Sequence, residues 1–126
     1  MSGLVELEKF AQRYAAAWCS RDPDAVVAFY AKNAAISVND GTPAPIAEVA
    51  QSFMRDFPDM IVTFDKLEPH GETTAFHWTL TGTHVETGNR VRISGYELWM
   101  INSDGLIAES EGHFDAADYE RQLGDQ

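Results

Sequence analysis

Apolar residues recur at three- and four-residue steps at the start of the chain, at Leu4, Leu7, Ala11, Tyr14 and Trp18. Such a stripe predicts a helix from about Gly3 to Cys19. Asp22-Pro23-Asp24 predicts a second start, because an aspartate accepts the free amides of a first turn and proline suits the first helical position. This second helix is expected to carry Val26, Val27, Phe29 and Tyr30 and to end at Asn33. Ala35 to Val38 reads as a short strand and Asn39-Asp40-Gly41 as a turn. Pro43 and Pro45 lead into a third helix with Ile46, Val49, Phe53 and Phe57 on one side, stopped by Pro58.

Beyond Pro58 the period changes to two. Ile61 to Leu67, Thr73 to Val85, Arg90 to Ile101 and Leu106 to Phe114 read as strands. Glu86-Thr87-Gly88-Asn89 and Ser103-Asp104-Gly105 turn between them, and Ala116 to Leu123 closes with a short helix. Helices first and an antiparallel meander afterwards predict an α+β fold in one domain spanning residues 1–126.

Strand alternation assigns the faces. Phe76, Trp78, Leu80, Gly82 and His84 form one row, Val91, Ile93, Gly95, Glu97, Trp99 and Ile101 the next, and Ala108, Ser110, Gly112 and Phe114 a third. These rows should face inward. The small residues of the third row, opposite Trp78 and Trp99, predict a cavity. The other face carries His77, Thr79 and Thr81 beside Tyr96, Leu98 and Met100, too apolar for a free surface, and predicts a homodimer.

Composition and charge narrow the function. The 126 residues are 44% hydrophobic and 23% charged, as in ordinary globular proteins. Nine Lys+Arg against 20 Asp+Glu give a net charge of -11, which argues against nucleic acid and anionic membrane as partners. The opening MSGLVELEKF has neither a basic start nor an apolar core, so a signal peptide is not expected and a cytoplasmic location is. Cys19 stands alone, as a packing residue. His70, His77, His84 and His113 lack metal-ligand spacing, and no nucleotide or serine-hydrolase motif is present, so neither metal nor organic cofactor is expected.

Glu97 is the one ionisable group in its inward row. Burial raises a carboxyl pKa, and a neutral acid can donate a hydrogen bond to a developing oxyanion. The plainer alternatives pair it with Arg13 or place it at a pocket mouth. Tyr14 is a second donor or a core tyrosine. The expected lining is Tyr14, Trp18, Phe53, Phe57, Trp78, Leu80, Glu97, Trp99 and Phe114.

The segments Ala11 to Trp18, Asp22 to Tyr30 and Ala34 to Ile36 resemble the opening of ketosteroid isomerases. Trp78 to His84, Gly88 to Val91, Gly95 to Trp99, Asp104 to Ile107 and Gln122 to Gly124 resemble the SnoaL-like polyketide cyclases of the same NTF2-like superfamily. The resemblance implies a cone-shaped (cystatin-like) fold, a curved antiparallel sheet wrapped around N-terminal helices, an apolar pocket inside it and a dimer. It places the isomerase's two oxyanion donors on Tyr14 and Glu97. The isomerase's general-base aspartate falls on Val38, which has no proton chemistry, and Asp40 lies two residues on. The cyclase likeness points to Asp115, otherwise a helix cap, with His84 as helper. Three functions follow: a cofactor-independent cyclase, isomerase or dehydratase moving a proton next to a carbonyl, a non-catalytic protein for an apolar small molecule, or a dimeric interaction module.

Overall fold

The chain is described by a computed structural model over residues 3–124. Helix α1 runs Gly3–Trp18, and its stripe of Ala11, Tyr14, Ala15 and Trp18 is buried. Helix α2, Pro23–Val27, starts where the sequence places it: the Asp22 carboxylate accepts the Asp24 amide at 3.0 Å. It stops far short of Asn33. Strand β1 occupies Tyr30–Val38 instead, and pairs in parallel with β6, Ile107–Phe114. Val26 and Val27 stay in α2, but Phe29 and Tyr30 fit a buried strand as well as a helix, and the Ile107 amide bonding the Phe29 carbonyl at 3.0 Å leads the chain into the ladder. Asn33, φ 63°, lies where the β1–β6 register shifts.

A turn with left-handed Asn39 and Asp40 leads to the two-residue edge strand β2, Ala44–Pro45. Helix α3 follows at Ile46–Asp56, burying Ile46, Ala50 and Met54. Phe57 is its C-cap, and Pro58 lies just beyond.

Strands β3 (Ile61–His70), β4 (Thr73–Thr83), β5 (Arg90–Ile101) and β6 form the antiparallel meander. The sheet order is β2-β1-β6-β5-β4-β3, so the chain returns to place its first long strand beside its last. Register shifts in β3 and at the end of β5 mark bulges, which bend a sheet, and the open curved sheet closes over α1 to α3. Helix α4, Ala116–Gly124, packs on β5.

The assigned faces hold. Phe76, Trp78, Leu80, Val91, Ile93, Glu97, Trp99 and Ser110 are buried, while Glu109 and Glu111 are exposed. Gly95 permits one close approach: a Cβ there would lie 2.2 Å from the His113 carbonyl oxygen and 2.8 Å from Trp78 Cζ2. Outside, the rings of His77, Tyr96 and His113 form a row across β4, β5 and β6. No helix among the described residues is long and apolar enough to cross a membrane.

Candidate functional site

The inner face and the helices enclose an empty space of about 520 Å³, including its solvent-open mouth. Trp18 of α1 and Val49 and Phe53 of α3 form one wall. Ile36 and Val38 of β1, Val62 of β3, and Phe76, Trp78 and Leu80 of β4 form the other, with Gly112 and Phe114 of β6 beside Glu97 of β5. Glu97 is the one ionisable side chain in this lining.

Strand alternation puts Glu97 on the inner face between Gly95 and Trp99, opposite Phe76 on β4 and Gly112 on β6. Three donors converge on one of its oxygens. The Tyr14 hydroxyl and the Trp99 indole N–H each donate to Oε1 at 2.9 Å, and the Ser110 hydroxyl at 3.3 Å. Oε2 receives no hydrogen bond from the described residues and is not sealed from space, so it is the oxygen open to the cavity. Glu97 makes no ion pair among them, and Arg13 is exposed, so the pairing considered from sequence is not formed. Burial pushes the Glu97 carboxyl above its ordinary value of 4.5, against the downward pull of the bonds from Trp99, Tyr14 and Ser110.

Tyr14 is fully buried and does not line the cavity. Its single hydroxyl proton goes to Glu97, so the Tyr30 hydroxyl, 2.8 Å away, donates to Tyr14. Burial, with the nearby Glu97 charge, raises both phenols well above the ordinary 10.0, keeping them protonated donors. The chain Tyr30 to Tyr14 to Glu97 thus replaces the expected arrangement in which Tyr14 and Glu97 both reach a ligand oxygen. Tyr30 escaped sequence reasoning because its segment was read as helix.

Trp99 also lies behind the lining. Its ring is covered by Phe10 and Tyr14 of α1 and stacks on Phe76 at 4.9 Å, so its role is to hold Glu97. Phe57 is buried against His84 and Tyr119, outside the cavity. Trp18, Phe53, Trp78, Leu80 and Phe114 stand in the wall where the apolar stripes placed them. Ile36, Val38, Val49 and Val62 were missed as lining residues, although Val49 lies on the same helical stripe as Phe53.

The proposed bases lie elsewhere. Asp40 is exposed in its turn. His84 is buried against Phe57, with Nδ1 3.2 Å from the Thr87 hydroxyl, and does not line the cavity. Asp115 is exposed and accepts the Asp118 amide at 3.1 Å, the geometry of a cap on α4. No group of three or more His, Cys, Asp or Glu among the described residues is arranged to hold a metal ion.

A curved sheet over helices, closing on an apolar cavity with one buried carboxyl, defines a class of small-molecule pocket domains. Residues 11–110 match the SnoaL-like domain, and the chain belongs to that family. No curated protein matches the chain. Among solved structures, TsrD from Streptomyces laurentii is 20% identical with a TM-score of 0.81, covering 97% of each chain. IdmH from Streptomyces antibioticus, a candidate polyketide cyclase, is 23% identical with a TM-score of 0.76, covering 93% of this chain and 97% of its own. A ketosteroid-isomerase-like protein from Catenulispora acidiphila, in complex with trimethylamine, is 15% identical with a TM-score of 0.80, covering 91% of this chain and 92% of its own. At these identities the likeness establishes the NTF2-like fold.

Proposed function

We propose that this domain takes up a small apolar molecule bearing a carbonyl or phenolic oxygen, and acts on it as a cofactor-independent enzyme of the cyclase or isomerase type. The observation that carries the reading is the asymmetry of Glu97: Oε1 is held by Tyr14, Trp99 and Ser110, and Oε2 faces an otherwise apolar cavity. A protonated Oε2 donates to the ligand oxygen. As a neighbouring C–H bond loses its proton, negative charge gathers on that oxygen and the bond becomes charge-assisted, roughly twice as strong. If Glu97 gives up its proton to form the enol, the three donors at Oε1 stabilise the resulting carboxylate. The C–H proton leaves to water at the cavity mouth, since no second titratable side chain lines the cavity.

That same absence favours a second reading, binding without turnover, with Val38 where an isomerase's base would stand. Two measurements separate the readings. In carbon-13 NMR the Glu97 carboxyl should titrate above the ordinary glutamate value of 4.5, and an ordinary value overturns the neutral-donor role in both. Hydrogen–deuterium exchange at the α-carbon of 1-tetralone in heavy water should be accelerated by the protein and lost in Glu97→Ala. Binding without acceleration selects the non-catalytic reading.

We also propose a homodimer through the outer sheet face. Tyr96 and Met100 are 37% and 40% exposed there, beside a shallow depression lined by Glu68, His77, Tyr96 and Leu98. A clean monomer at micromolar concentration in sedimentation would refute it.

A further inference from the structure

The outer face of the sheet is uneven along the strand direction, in charge and in shape. The row His77, Tyr96 and His113 crosses β4, β5 and β6 at one level of the register. On one side of that row lies Arg92 of β5. On the other lie Glu111 and Glu109 of β6, opposite Leu98 and Met100. All three charged side chains are exposed. Neighbouring charges are matched within the chain: Arg90 on Asp59 at 3.3 Å, and Glu68 on His77 at 2.8 Å and on Lys66 at 3.5 Å. Among the described residues Arg92 and Glu109 form no ion pair, and Glu111 has the imidazole of His113 alone, at 3.7 Å. The shape divides in the same way. Ile61 of β3 stands at the level of Thr81 and Arg92 and is 56% exposed. The shallow depression lies on the carboxylate side, with Glu68, His70, Thr73 and Ala75 in its wall.

We infer that a second copy stacks on this face with its strands reversed, about a two-fold axis that lies across the strands along the row His77, Tyr96 and His113. This rests on the reading of the outer face as the homodimer surface. Sheets that pack face to face keep their strands aligned to within about 30°, so the axis runs either along the strands or across them. An axis along the strands sets each end of the face on the same end of the partner, acid on acid, with Arg92 level with Arg92. An axis across the strands exchanges the ends. Position 92 of one protomer then falls over position 100 of its partner, which Glu109 flanks on β6. The same rotation carries Ile61 to the level of Met100, Thr73 and His70, where the depression lies. One operation therefore meets both the charge pattern and the shape. With a net charge of -11 on each chain, exchanging the ends relieves a repulsion that the other axis would concentrate.

Sedimentation equilibrium of the full chain tests the arrangement, with substitutions at exposed positions. Arg92→Glu should raise the dimer dissociation constant about tenfold, because an exposed ion pair is worth little alone but occurs twice about a two-fold axis and is here turned into repulsion. Glu109→Arg combined with Glu111→Arg should do the same. A variant carrying all three exchanges restores opposite charges at both ends, and should return to within about threefold of the wild-type constant. Ile61→Asp should weaken the dimer by about tenfold or more, since it carries an unpaired charge into the depression. A dimer that Arg92→Glu or Ile61→Asp leaves unchanged, or a triple variant no tighter than Arg92→Glu, overturns the inference while the dimer itself stands. A wild-type chain that is monomeric at micromolar concentration overturns the outer-face reading, and this inference with it.

Discussion

Replacing Tyr14 by Phe tests the hydrogen-bonded chain behind the cavity. The ring is kept, and with it the edge contacts to Trp99 at 5.1 Å and Phe76 at 5.3 Å. Two bonds disappear: the donation to Glu97 Oε1 at 2.9 Å and the acceptance from Tyr30 at 2.8 Å. Glu97 keeps Trp99 and Ser110 as donors. Tyr30, buried at 4% exposure, loses its acceptor, and a stranded buried hydroxyl costs about 1–3 kcal/mol. A loss near the middle of that range lowers the melting temperature of a domain this size by about 5–10 °C. The same change raises the Glu97 pKa further, because the Tyr14 bond is one of those holding it down. Calorimetry reads the first effect and carbon-13 titration of the Glu97 carboxyl the second. An unchanged melting temperature together with an unchanged or lowered Glu97 pKa would show that Tyr14 does not donate to Glu97.

Glu97→Gln should change how stability depends on pH. With the folded pKa raised above 4.5, the group's contribution is fully present below about pH 4.5 and is lost as pH rises through the folded value. The unfolding free energy of wild type minus variant should therefore decline with rising pH from about 4.5 and then level, and an increasing difference in denaturant titrations contradicts the upward shift. Gly95→Ala should be destabilising by about 1–3 kcal/mol or more, because the new Cβ meets the His113 carbonyl oxygen at 2.2 Å across the β5–β6 pair. A Gly95→Ala variant with the wild-type midpoint in urea would mean that the strands do not approach so closely. Phe57→Ala should cost about 3–5 kcal/mol of stability, since the ring is 1% exposed, while leaving the cavity wall intact; an affinity loss for 1-tetralone without a stability loss would place Phe57 in the wall after all.

What the sequence determined is what periodicity encodes. A period near 3.6 set α1 and the stripe that buries Tyr14 and Trp18, and Asp22-Pro23 set the start of α2. A period of two set the inward rows of β4, β5 and β6, and so isolated Glu97 among apolar neighbours before any contact was known. Periodicity states which face a residue occupies, not which distant residue it meets. The segment from Val26 to Tyr30 suits either a helix or a buried strand, and only pairing with β6 made β1 begin at Tyr30. That pairing brought Tyr30 to Tyr14 and turned Tyr14's proton toward Glu97 instead of the cavity. Likewise Trp78 and Trp99 both point inward, but α1 covers Trp99 and leaves Trp78 in the wall. His84 and Asp115 satisfied the residue types of acid–base chemistry, yet packing against Phe57 and the cap of α4 claimed them. Hydrogen bonds reach about 3 Å, so which donor serves which acceptor is settled by long-range packing, which a pattern read along the chain does not contain.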